Sequence, residues 1–178
     1  MEDLLTIRRY RVKFNNSVTQ HKYQGGEIME IKSPAFKNDN MIPAQYTCDG
    51  RNVSPPLQWS GAPVNTNSFA LICDDPDAPA GTWVHWVMFD IPPTVNGLPE
   101  NVPQQKEVSG LGKSGKNTDR NFGYDGPCPP GGTHRYYFKL YALDTMLILK
   151  PGATKEELLK AMKGHVLTEA QVMGKFKR

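Results

Sequence analysis

Two histidines, each at the start of an apolar run, are the residues of this chain best placed to do chemistry. The first lies in Trp83-Val84-His85-Trp86, just after Cys73-Asp74-Asp75-Pro76-Asp77-Ala78-Pro79. Apolar runs flank that region, Phe69-Ala70-Leu71-Ile72 before it and Trp86-Val87-Met88-Phe89 after it. The second lies in Thr133-His134-Arg135-Tyr136, between Gly126-Pro127-Cys128-Pro129-Pro130-Gly131-Gly132 and the run Tyr137 to Leu143. Proline lacks the N–H and fixes φ, so neither rigid segment can continue a strand. The acids and His85 are therefore expected at strand ends, where a rigid scaffold holds side chains that still reach solvent. The same succession of rigid turn, histidine and strand occurs in both clusters, which read as two walls of one pocket.

That pocket would hold Asp75, Asp77, His85, His134 and Tyr136, with Trp83 and the Gly126-Pro127 backbone at its rim. Two imidazoles can offer N–H donors to an anion near neutral pH. A carboxylate behind them would fix their orientation and favour the charged form. A tyrosine hydroxyl and loop backbone N–H groups add donors. The set suits a small oxyanion such as phosphate, a phosphomonoester or a carboxylate. Plainer roles stand beside these. Asp75 and Asp77 could cap turns before proline, a reading that weighs about equally for Asp77. Tyr136 could be core, with its hydroxyl hydrogen-bonded; Trp59 and Trp86 read as core. Arg135 should face away from His134 on a strand, and a structural ion pair suits it better than ligand binding.

An enzyme is the rival reading, hydrolytic or metal-dependent. Two histidines and one aspartate could make a facial metal triad. Zinc-site spacing is missing, as are the G-x-S-x-G elbow, the P-loop and G-x-G-x-x-G. The expectation is binding without turnover, with no metal and no cofactor. A protein-interaction role is compatible with it, using the long segment from Pro99 to Asp125 as a contact surface, because a pocket ligand could bias that segment.

The scaffold follows from the punctuation of the chain. Pro 15 and Gly 16 in 178 residues, falling between apolar runs, suit a loop-rich β fold. Strands are expected at Glu27 to Ile31, along Ser54 to Trp59 with Leu57 and Trp59 facing one way, on both sides of the acid cluster, and at Tyr137 to Leu143. Ile42 to Tyr46 suits an edge strand. The region from Pro99 to Gly126 reads as one long loop. Thr154 with Glu157 forms a capping-box pattern, starting a helix at Lys155 with Leu158, Leu159 and Met162 on its apolar face and Gly164 at C′. Thr168 to Met173 suggests a second short helix. The architecture expected is an antiparallel β-sandwich of Greek-key type with peripheral C-terminal helices.

Composition limits the partners. The formal charge of +3, without a run of basic residues, does not point to nucleic acid. No apolar stretch nears the roughly 20 residues that span a bilayer. Of three cysteines, Cys73 lies in an apolar run, while Cys48 and Cys128 lie in turn-rich segments and could approach each other. The ordinary expectation is three reduced thiols in a cytoplasmic protein. Residues 1–26 differ from the rest: Arg8, Arg9, Arg11 and Lys13 crowd together, a short strand at Tyr10 to Phe14 is conceivable, and no apolar core of a signal peptide is present. They read as an extension ahead of one domain, 27–178.

Asp75-Pro76-Asp77-x-Pro79, Trp83-x-His85, Gly126-Pro127 and His134-Arg135-Tyr136 together resemble the signatures of the phosphatidylethanolamine-binding protein family. That family includes the Raf-kinase inhibitor proteins of animals and the flowering regulators of plants. Asn52-x-Ser54-Pro55-Pro56-Leu57-x-Trp59, Gly126-Pro127-Cys128-Pro129-Pro130 and the closing helix resemble its bacterial and archaeal branch. The resemblance runs from about Ile28 to the C-terminus and implies the same sandwich. It also implies a pocket for phosphate-like groups, a regulatory role as an inhibitor of a kinase or protease, and a cis peptide at Ala78-Pro79. Animal members close the pocket with a C-terminal tyrosine; no Tyr follows Tyr141 here, which implies a more open pocket.

A chain beginning at Glu27 is expected to fold as the full chain does. Circular dichroism and urea denaturation check this; loss of the cooperative transition would put the boundary elsewhere.

Overall fold

The computed structural model describes residues 28–178. The N-terminal extension, and the short strand considered at Tyr10 to Phe14, lie outside the described residues. Among those described, nine strands form two antiparallel sheets, accompanied by one α-helix. The small sheet runs β1 (Glu30–Lys32), β2 (Leu57–Ser60), β5 (Gly97–Leu98). The large one runs β6 (Glu107–Val108), β7 (Gly112–Ser114), β4 (Trp83–Ile91), β3 (Ser68–Asp75), β8 (Thr133–Leu143), β9 (Val166–Lys177). No described helix is long and apolar enough to cross a membrane.

β3 is buried along its whole length because both of its faces are covered. Phe69, Leu71 and Cys73 face the small sheet, in a core with Trp59, Trp86, Phe138 and Leu140. Ala70 and Ile72 face the other way, against Val87, Phe89 and the buried side of α1 (Lys155–Met162), Leu158 and Met162. Burying each large apolar side chain contributes about 1.5–3 kcal/mol before ordering costs. Two-sided burial is why this antiparallel strand reads as a continuous apolar run rather than an alternating one.

Alternation then sends the two aspartates at the end of β3 to opposite faces. Asp74, 1% exposed, faces the helix layer. It accepts hydrogen bonds from Lys139 Nζ of β8 at 2.8 Å and Lys155 Nζ of α1 at 2.6 Å, tying the helix to the sheet. The helix itself starts as its sequence dictates. The Thr154 side chain accepts from Glu157 N while the Glu157 side chain accepts from Thr154 N, and Gly164 takes a φ of 85° just past the end.

Several expectations need correction. Thr168 to Met173 is strand, not helix: β9 pairs with β8 from Thr133↔Lys177 to Leu143↔Val166. Its Val172 and Phe176 fill the inter-sheet core, so tertiary pairing overrides local preference. The sandwich has one C-terminal helix, not several. Ile42 to Tyr46 is not a strand; Met41 makes an isolated bridge to Lys175, and Ala44–Tyr46 is a 3-10 turn. The long segment after Pro99 folds back as β6 and β7 along the edge of β4. Cys48 and Cys128 are joined in a disulfide, leaving only buried Cys73 free among the described residues. The peptide at Ala78-Pro79 is trans. Pro79 instead occupies the second position of a turn closed by Gly81 N donating to Ala78 O at 3.1 Å, a position that suits a trans proline.

Replacing Asp74 by Ala is expected to lower stability by about 2–3 kcal/mol. The two lysines lose their buried partner but can still turn to solvent, so the cost falls short of that for a sealed pair. Lys139→Ala and Lys155→Ala should each cost less, because either leaves Asp74 one cation. Urea denaturation of the three variants checks the order.

Candidate functional site

His85 owes its position to a β-bulge. Cys73 pairs with Trp86 but Asp74 pairs with Val84, so His85 is an extra residue in β4. Val84 packs on the helix side and Trp86 in the inter-sheet core. Unbroken alternation would put Val84 and Trp86 on one face and His85 on the other. The bulge instead turns both His85 and Trp86 inward, and the His85 ring meets Tyr136 edge-on, with centroids 5.2 Å apart.

His134 and Tyr136 come from the inward face of β8, two residues apart. Asp75 ends the inward face of β3 and is 3% exposed. One of its oxygens accepts from Asp77 N at 2.8 Å, forming the turn; the other accepts from His134 Nδ1 at 2.7 Å. With Nδ1 carrying the proton toward Asp75, the remaining polar atom of the His134 ring is Nε2. Asp75 therefore both caps a turn and orients a histidine.

The His85 ring is held from the other side. Its Nδ1 donates to the Asp125 carbonyl at 2.7 Å, and Asp125 N donates back to the His85 carbonyl at 2.9 Å. Its Nε2 is buried without a protein partner, and so is the Tyr136 hydroxyl. Trp59 Nε1, Trp86 Nε1, Ser114 Oγ and Asn117 Nδ2 are also buried without a protein partner; His85 and Tyr136 are the two of this set whose rings pack against each other. Burial pushes the His85 pKa down, partly offset by the hydrogen bond to Asp125 and the nearby Asp75 charge. Burial pushes the Tyr136 hydroxyl up, and Asp75 pushes it further, so it stays a donor throughout the physiological range.

The other expected site residues sit around this core. Trp83, half-buried, pairs with Asp75 where β3 ends and β4 begins. Asp77 is engaged by Arg135, whose Nε and Nη2 reach its two oxygens at 2.9 and 2.7 Å. That hydrogen-bonded pair lowers the Asp77 pKa and raises that of Arg135. Gly126 and Pro127 act as wall: Gly126 N donates to Asn52 Oδ1 at 2.7 Å, and Pro127 O accepts from Cys48 N at 3.1 Å. A Cβ at Gly126 would lie 2.5 Å from both Asn52 Oδ1 and Tyr46 O, so only glycine allows this approach.

Sequence reasoning passed over the brace behind the wall. Asn52, at a φ of 55°, bridges Gly126 N and the Asp125 carboxylate, 3.0 Å from Nδ2. Tyr124 Oη donates to Tyr46 O at 2.8 Å alongside. The available signal was Asn52 itself, an Asn closing a turn where αL geometry is tolerated. Two open hollows, of about 330 Å³ over the outer face of β1 and β2 and about 260 Å³ beside Pro151, lie away from these groups. Neither is lined by a buried titratable side chain, so the candidate site rests on chemistry rather than on hollow size. No group of three or more His, Cys, Asp or Glu among the described residues is arranged to hold a metal ion.

A family model described as phosphatidylethanolamine-binding protein matches residues 32–177. A UPF0098 protein of Methanothermobacter thermautotrophicus is 55% identical over 150 residues, which covers 84% of this chain and 99% of the relative. A UPF0098 protein of Pyrococcus abyssi is 49% identical over 158 residues, or 86% and 88% of the two chains. In structure, a phosphatidylethanolamine-binding protein homologue of Chlamydia trachomatis superposes with a TM-score of 0.79 at 40% identity, over 85% of this chain and 98% of its own. E. coli YbcL, described as a new member of the mammalian PEBP family, gives a TM-score of 0.76 at 30% identity, over 85% and 99%.

The depressed His85 pKa has a consequence for stability. Below about pH 6.5 the unfolded chain binds a proton that the folded imidazole resists, so the contribution is full above that pH and is lost as pH falls. His85→Gln should be flatter than wild type in urea stability as pH is lowered from about 7 to 5. Parallel profiles would mean that His85 binds its proton equally well in the folded and unfolded chain.

Proposed function

Since the chain belongs to the phosphatidylethanolamine-binding protein family, we propose that it binds a small phosphate-like oxyanion between His85, His134 and Tyr136, without turning it over. The observation that carries this reading is the pair of partnerless buried polar atoms, His85 Nε2 and Tyr136 Oη, next to a histidine that Asp75 holds in one orientation. An oxyanion accepts from the Tyr136 hydroxyl, and from His85 Nε2 and His134 Nε2 when each imidazole carries a proton on both nitrogens. Charge-assisted hydrogen bonds of this kind are the strong ones. Both imidazoles are largely enclosed, at 5% and 7% exposed, which favours a compact ion over a bulky one.

Neither the nearby thiol nor the tyrosine hydroxyl is an activated nucleophile, which supports binding over turnover. Cys73 is buried, with its thiol pushed well up by burial, and the Tyr136 hydroxyl stays protonated. Regulation of a protein partner such as a kinase or protease would run through the segment ending at Asp125. The Asp125 carbonyl accepts the His85 hydrogen bond, so an anion on the far side of that ring is felt there.

Binding should take up a proton at His85 and so weaken as pH rises, because the free imidazole is neutral and offers no donor at Nε2. His134→Ala should cost roughly 1.5–3 kcal/mol of binding. Calorimetric titration with phosphate and phosphoethanolamine from pH 5.5 to about 8 tests both. Equal affinity in wild type and His134→Ala would rule this site out; phosphoester hydrolysis lost in the variant would favour an enzyme.

A further inference from the structure

The wall that holds His85 is itself held by one covalent bond in an electrostatically uneven setting. Cys128 is exposed and Cys48 half-buried, so the disulfide is open to a reagent in solution. Arg178 Nη1 lies 3.3 Å from Cys128 Sγ, and Asp49 Oδ1 lies 3.8 Å from Cys48 Sγ. Asp49 also anchors the guanidinium, 3.1 Å from Arg178 Nε. A thiolate is therefore favoured at Cys128 and disfavoured at Cys48, which makes Cys128 the better leaving group.

The bond lies between the supports of the two histidines. On one side, Cys48 N donates to Pro127 O, and Asn52 clamps Asp125 and Gly126, the residues that present the carbonyl to His85. On the other, Cys128 is followed by Pro129-Pro130-Gly131-Gly132, which delivers the chain to Thr133 and His134.

From this placement we infer that Cys48–Cys128 is a thiol-exchange site for a dithiol reductant, and that its reduction loosens the anion site. This rests on the anion-binding reading above. A reductant thiolate forms a bond to Cys48 Sγ, the Cys48–Cys128 bond breaks, and its electron pair leaves on Cys128 as a thiolate against Arg178. The reductant's second thiolate then displaces Cys48, which departs as a thiolate and takes up a proton from water. The reductant ends as a disulfide, and two electrons pass to the protein. The oxidised form presents a preorganised site; the reduced form must order the wall when the anion binds, and binds more weakly.

Three measurements on the full chain test this. Calorimetry with inorganic phosphate should show affinity roughly fivefold lower in protein reduced with dithiothreitol than in oxidised protein. Equal or tighter binding by the reduced form overturns the coupling. By linkage, saturating phosphate should lower the disulfide's reduction potential by the same factor, about 20 mV for two electrons; no shift despite phosphate binding to the oxidised form overturns it independently of any variant. Glutathione exchange, stopped with acid and mapped by mass spectrometry, should place the mixed disulfide on Cys48 and slow roughly threefold in Arg178→Ala. A mixed disulfide on Cys128, or an unchanged rate, overturns the exchange site. If oxidised wild type binds no phosphate at all, the anion-binding reading fails, while the mapping still decides the exchange chemistry.

Discussion

Two consecutive aspartates are buried at the end of the central strand, and most of the molecule's specific geometry serves to pair them. A carboxylate out of water is tolerated only with hydrogen bonds and counter-charges on its oxygens. Strand alternation puts the two on opposite faces, so each recruits partners from a different layer. Asp74 takes Lys139 and Lys155, docking α1 on the sheet. Asp75 takes the Asp77 amide and His134, closing the acidic turn and setting one histidine of the site. Scaffold and site thus share one stretch of backbone, and neither aspartate can move without releasing the other layer.

The second histidine is set by contacts with the brace and with β8. The β4 bulge rotates His85 into the inter-sheet core, Tyr136 packs against its ring, and the Asp125 carbonyl fixes its tautomer. Asp125 is held by Asn52, from a turn 73 residues earlier. Burial lowers the His85 pKa against the Asp125 hydrogen bond, which raises it, and His85 Nε2 and the Tyr136 hydroxyl are each left without a protein partner. Two unpaired buried polar atoms cost on the order of 1–3 kcal/mol each.

Asp77 shows how one residue type divides its labour over short distances. Its carboxylate lies two residues from Asp75, yet it is claimed by Arg135 in a two-point pair on the more exposed side. That pair braces the acidic turn against β8 and leaves Asp75 to contact His134. The ion pair expected for Arg135 is present, and the fork geometry of guanidinium and carboxylate explains why arginine fills the position.

Sequence by itself determined what depends on near neighbours. The apolar runs of β3, β4 and β8 are long enough to identify strands, and the Thr154–Glu157 capping box spans only four residues, so the start of α1 is legible. Prolines and glycines marked the rigid turns beside each histidine, and with them most of the candidate site. Tertiary structure decided the rest. Whether Thr168 to Met173 becomes helix or strand depends on the open edge of β8, which its own composition does not announce. The Cys48–Cys128 bond, the Asn52 brace and the pairing of Asp77 with Arg135 join residues 58 to 80 positions apart. The bulge at His85 exists only as a mismatch of register between two strands. Local patterns fix φ, ψ and the side-chain period, but these are relations between distant segments, settled only when the chain closes on itself and each buried polar group must find its partner.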